Sequence, residues 1–118
     1  MKSEESILRI KSYHFAIKIV ELNKYLSQTH REYVLARQVL RSGTAIGALI
    51  REAEFGQSRA DFSNKMSIAL KEANETNYWL NLLKDTGYID EPTHGELAGL
   101  CTELVRMLVA TVKTTRQK

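Results

Sequence analysis

Ser42-Gly43-Thr44-Ala45-Ile46-Gly47-Ala48 is followed, across Glu54-Phe55-Gly56-Gln57-Ser58, by apolar or small residues at Phe62, Met66, Ala69, Ala73, Thr76, Leu80 and Leu83. Alternating steps of four and three are the period of a helix that packs along one seam. The run before the turn carries two glycines, each costing about 1 kcal/mol relative to alanine inside a helix. Such a cost is tolerated where two helices approach closely, because small side chains shorten the distance between their axes. The stretch therefore predicts a helical hairpin, with the alanines of the second arm set against the small patch of the first. A phosphate-cradling loop needs a preceding strand and a following lysine, and Gly43 and Gly47 have neither.

Working outward, Leu8, Phe15, Ile19, Leu22 and Leu26 recur at helical spacing, with Ala16 and Val20 widening the stripe, and predict a first helix over 6–27. Ser3 or Ser6 would cap it, and Glu4 and Glu5 would suit its dipole. The polar stretch 28–31 makes the first turn, with Thr29 as cap of the next helix and Glu32 as its capping-box partner. That second helix, 32–55, has a stripe of Leu35, Val39, Ser42, Ile46, Leu49 or Ile50, and Ala53. Gly56 is the expected left-handed residue closing it, and Ser58 with Asp61 opens a third helix over 59–86. Gly87 closes that helix, and Asp90 caps a fourth over 91–113, faced by Leu97, Leu100, Cys101, Leu104, Val105, Leu108, Val109 and Val112.

The expectation is an all-α, up-down-up-down four-helix bundle, one domain spanning residues 1–118. Tyr78, Trp79 and Leu82 lie off the main seam of the third helix and form a second apolar face, a candidate oligomer interface.

The chain has 118 residues, one cysteine, one proline and a formal charge of +3. A lone Cys101 cannot form an intramolecular disulfide, no run suits a bilayer span or a signal peptide, and the cytoplasm is the expected compartment. His14, His30 and His94 are isolated in sequence, so no metal site or cofactor is expected. His14 reads as a boundary histidine bonded to a neighbour, and Cys101 as a small core hydrophobe. Glu52, Glu54, Glu72 and Glu75 form no recognisable catalytic constellation, and the expectation is a protein without enzymatic activity.

What remains is charge. Arg37, Arg41, Arg51 and Arg59 flank the hairpin, and Lys18, with Lys11 and Lys24, lies on the first helix. Cations on rigid helices neutralise phosphates without reading bases, and these five, Arg37, Arg41, Arg51, Arg59 and Lys18, are the candidate nucleic-acid contacts. The competing reading is a solvated surface in which Glu32, Glu52, Asp61 and Glu72 pair with them.

The stretch Arg41 to Ala53, with Ser58-x-x-Asp61-Phe62, Ile68-Ala69, Glu75, and Leu82 to Gly87-Tyr88-Ile89, resembles the four-helix-bundle family named for the protein encoded in 23S rRNA intervening sequences. More distantly it resembles the bundle-type accessory proteins of diversity-generating retroelements. Gly47, Leu49 and Ala53 stand where the family usually has proline, asparagine and glycine. The resemblance implies a homo-oligomeric ring, commonly a pentamer, with no known catalytic activity. It also implies a partner in structured RNA or a ribonucleoprotein; the alternative is a protein–protein adaptor with no nucleic-acid role.

Overall fold

Four helices account for nearly all of the chain: α1 (Ser3–Thr29), α2 (Val34–Glu54), α3 (Arg59–Asp85) and α4 (Glu91–Arg116). The computed structural model describes residues 3–116, with side chains from residue 7 onward. The expected caps Ser3 and Ser6 and the acids Glu4 and Glu5 fall outside the described side chains.

Every junction is explained by a local interaction. Glu32 Oε1 accepts hydrogen bonds from the backbone N–H groups of Leu35 at 2.7 Å and Ala36 at 3.0 Å, so this glutamate caps α2 from outside the helix. Thr29, the expected cap, belongs to the last turn of α1 instead. Arg31 bridges the two helices with φ at 53°, a left-handed conformation that costs a side-chain-bearing residue about 1 kcal/mol or more. Ser58 accepts from Asp61 N–H at 3.0 Å and starts α3 as its spacing predicts.

At the end of α3, Gly87 has φ of 86°, its N–H donates to Lys84 O, and Tyr88 N–H donates to Leu83 O. That crossed pair is the Schellman closure, and Ile89 just beyond it is buried. Asp90 Oδ1 then accepts from Thr93 N–H at 2.9 Å to open α4.

Gly56 departs from its expected role, because its φ is not positive. What it supplies is room: a Cβ there would lie 2.6 Å from Asp61 Oδ2 and 3.1 Å from Ala53 O. The turn is so tight that the first-turn acid of α3 folds back over the end of α2.

Cross-helix contacts give the arrangement. Between α1 and α2, Arg9 meets Glu54 and Asn23 donates to Ala36 O. Between α2 and α3, Lys65 meets Glu52 and the Thr76 and Ser42 hydroxyls share a buried hydrogen bond of 2.9 Å. Between α3 and α4, Ser63 bonds Thr115, Cys101 Sγ donates to Ala73 O and Asn81 bonds His94. Lys11 to Glu103 and Lys18 to Glu96 close α4 back onto α1. In each pair residue numbers rise along one helix as they fall along the other. The molecule measures 46 × 21 × 19 Å, the long dimension close to the ~40 Å expected of a 27-residue helix.

Leu8, Phe15, Ile19, Leu22 and Leu26 of α1 are all buried, as are Met66, Ala69, Ala73, Thr76, Leu80 and Leu83 of the α3 seam. Val20 is not part of this core: it is 38% exposed and faces outward. The glycine patch also serves a different neighbour from the one expected. Gly43 sits on Ile19, and Gly47 on the Ser12 backbone, so the small residues let α1 approach α2. Toward α3 the same stretch offers Ser42, which meets Thr76.

Among the described residues, no helix is long and apolar enough to cross a membrane.

Candidate nucleic-acid interface

Arg37, Arg41, Ala48 and Arg51 are spaced by four, seven and three residues, which places them along one outward side of α2 opposite the Val39–Ile46–Ile50 core stripe. Arg37 and Arg51 are exposed and, among the described residues, enter no ion pair, and they are separated by about 21 Å along the axis. Arg59 begins α3, at the end of the bundle nearest Arg51. These positions follow from the hairpin: a straight, capped α2 displays every residue of this row on one side.

Arg41 is compensated. Its Nη1 lies 3.2 Å from Glu72 Oε1 and its Nη2 contacts Glu75 Oε2, while Trp79 Nε1 donates to that same Glu75 oxygen at 2.9 Å. Two carboxylates hold one guanidinium against α3, so this arginine ties the two helices together. Lys18 lies on another side of the molecule, where it pairs with Glu96 of α4 at 3.1 Å. Of the five candidate cations, the structure brings Arg37, Arg41 and Arg51 together, sets Arg59 at the end of their row, and puts Lys18 elsewhere.

Trp79 is half-buried, with its indole N–H satisfied, and Leu82 is half-buried. Tyr78 is the exposed member of that group at 59%, its ring edge-on to Trp79 with centroids 5.0 Å apart. A longer apolar row, which the sequence reading missed, lies on α1. Ile10, Tyr13, Ile17 and Val20 are all substantially exposed, and Tyr13 reaches 68%. Their steps of three, four and three match a helix-packing seam on the side of α1 opposite its core stripe. That spacing was the available signal. Beside this row runs a groove of about 610 Å³ between α1 and α2, floored by Ala16, Gly47 and Ala48 and bounded by Tyr13 and Arg51.

The acids of the hairpin are engaged with cations. Glu52 pairs with Lys65, Glu72 and Glu75 with Arg41, and Glu54 lies 3.5 Å from Arg9 with its Oε2 buried and without a hydrogen bond. His14 is exposed and makes no hydrogen bond among the described residues, which corrects the expected boundary contact. Burial pushes the Cys101 thiol up to about 12, so it remains protonated inside the core. Among the described residues, no group of three or more His, Cys, Asp or Glu side chains is placed to hold a metal ion.

Comparison with curated protein sequences returns no match. A crystal structure of a protein of unknown function from the S23 ribosomal protein family of Bacteroides thetaiotaomicron superposes with a TM-score of 0.92. It is 49% identical, and the match covers 93% of this chain and 98% of that one. The family model described as 23S rRNA-intervening sequence protein matches residues 4–110. With that match spanning almost every residue of the four helices, the chain belongs to the 23S rRNA-intervening sequence protein family.

Proposed function

We propose that this protein is a non-enzymatic scaffold of the cytoplasm: an up-down-up-down bundle that assembles into a homo-oligomeric ring, a pentamer by family likeness, and contacts structured RNA or a ribonucleoprotein. The observation that carries the reading is the α2 row, where Arg37 and Arg51 are exposed, unpaired among the described residues and held on a helix in a chain of this family. Two cations about 21 Å apart match phosphates on a folded RNA surface better than a small ligand, and they carry no base-reading geometry. Ring assembly would multiply such weak contacts, since each subunit presents the same row.

The oligomer contact is assigned to the α1 row of Ile10, Tyr13, Ile17 and Val20, with Tyr78 as a smaller second patch. Contiguous apolar residues facing solvent along one side of a helix suit an interaction surface, whereas singly scattered ones need no partner. The same row supports the second reading, an adaptor that binds another protein and no nucleic acid.

Electrophoretic shift of a structured RNA at two salt concentrations separates the readings. Binding that weakens steeply with salt, and an Arg37→Ala/Arg51→Ala variant with a salt slope shallower by about 1.5, support phosphate contact. An absence of binding at low salt, with one stoichiometric protein recovered, supports the adaptor.

A further inference from the structure

On the far side of α1 from the arginine row, a cleft of about 510 Å³ opens between the C-terminal half of α1, the α3–α4 turn and the start of α4. Its chemistry is opposite to that of the row. Glu21, Asp90 and Glu96 bring three carboxylates to it, against the single ammonium of Lys18. Glu21 is exposed and has no ion-pair partner among the described residues, and Glu96 already holds Lys18 at 3.1 Å, so a carboxylate of this cleft has an ammonium bound to it in the structure itself.

The aromatic wall is built as one unit. His30 stands edge-on to both Tyr25 and Tyr88, with ring centroids 5.2 and 5.3 Å away, and its Nε2 lies 3.1 Å from the Tyr25 hydroxyl. The turn that delivers Tyr88 is fixed by the Gly87 closure, and the turn that delivers His30 by the left-handed Arg31. Leu22 and Leu97 supply apolar surface at the base. Aromatic faces and carboxylates around an open cleft attract a positive charge, and the apolar base suits an aliphatic stem. A phosphate would meet three negative groups there.

We infer that this cleft binds an organic cation, an ammonium or guanidinium carried on an aliphatic stem. Two sources fit that chemistry: a free polyamine, and a lysine or arginine side chain from a protein segment. The inference does not depend on RNA binding by the α2 row, which lies on a different face.

The experiment is an NMR titration of the full chain with spermidine, with a short arginine-containing peptide and, as an anionic probe, with uridine monophosphate. Saturable shifts of the Tyr25, His30 and Tyr88 ring resonances with either cation are expected, and which cation gives them identifies the source. Glu21→Gln should weaken binding by roughly three- to fivefold at low salt, and Tyr88→Leu by a similar factor, whereas Glu103→Gln, outside the cleft, should leave it unchanged. Glu21 is exposed and Tyr88 is half-buried against the core, where leucine keeps an apolar side chain, and unchanged amide spectra elsewhere establish that the bundle is intact. The inference is overturned if neither cation shifts the three rings, if Glu21→Gln binds as the parent does, or if uridine monophosphate produces the larger shifts.

Discussion

Gly43 and Ile19 approach so closely that a Cβ built on the glycine would stand 2.8 Å from Ile19 Cγ1 and 2.9 Å from its Cγ2. Ile19 is β-branched and fully buried, so it has little freedom to turn aside. Gly43→Ala gains about 1 kcal/mol of helix propensity but forces α1 and α2 apart, and a net loss of about 1–2 kcal/mol is expected. Gly99, exposed on α4 with nothing within 4 Å of its missing Cβ, should behave oppositely, Gly99→Ala adding about 0.5–1 kcal/mol. Urea midpoints of the two variants check both signs, and an Ile19→Ala background should relieve the Gly43→Ala penalty.

The two left-handed turn residues make a second matched pair. Arg31→Gly removes the steric cost of a side chain at φ 53° and should stabilise by up to about 1 kcal/mol, less the extra freedom gained by the unfolded chain. Gly87→Ala introduces that cost at φ 86° and should destabilise by about 1 kcal/mol. Thermal melts are sufficient; a destabilised Arg31→Gly would mean that the arginine side chain does more than tolerate its backbone.

Arg41 is held back from solution by two acids, and this predicts a gain of function. In Glu72→Gln/Glu75→Gln the guanidinium loses both charge partners, so RNA affinity at low salt should rise several-fold and the salt slope should steepen by about 0.9 per added phosphate contact. An unchanged slope would remove Arg41 from the proposed interface. Folding stability should move little, because the Arg41 side chain is half-exposed and an ion pair open to water on one side contributes about 1 kcal/mol or less.

The hydrogen bonds from Thr93 hold the Asp90 carboxyl below the usual carboxylate range. A group with a depressed folded pKa stabilises above its unfolded value, near 3.9, and that contribution is lost as the pH falls through the folded value. The stability gap between the parent and Asp90→Ala should therefore be constant near neutrality and close in acid. Cys101 has the opposite sign: with its thiol pushed up to about 12, stability should begin to fall as the pH rises past the ordinary thiol range, and Cys101→Ser should flatten that decline. A thiol reagent at pH 8 should modify the native protein only as fast as it unfolds.

For the assembly, Ile17→Glu places a charge in the middle of the α1 row, whereas Trp79→Glu places one where the indole is half-buried. If the α1 row carries the contact, light scattering should show dissociation with Ile17→Glu and a folded protein by circular dichroism. Trp79→Glu should cost stability first, through loss of the Glu75 bond and of its packing.

The core stripes and most caps were legible in the sequence because they depend on spacing along a single helix. Leu8, Phe15, Ile19, Leu22 and Leu26 share a face whatever the neighbours are, and Ser58, Gly87 and Asp90 act within a few residues of themselves. What needed coordinates were choices between equivalent partners. Spacing reveals that Gly43 and Gly47 let something come close, but not that it is α1. It reveals that Ile10, Tyr13, Ile17 and Val20 are apolar, but the strong core stripe masks the row they form on the opposite side, and of the four only Val20 is read, as a widening of that stripe. The charged residues were least legible, since the pairing of Arg41 with Glu72 and Glu75, and of Lys18 with Glu96, is set by how neighbouring helices align.

Trp79 is the chain's sole indole, and it shares the Glu75 carboxylate oxygen with Arg41. The molecule thus carries its own optical gauge: a polyanion that draws the guanidinium away must alter the charge beside the fluorophore, shifting its emission without any attached dye.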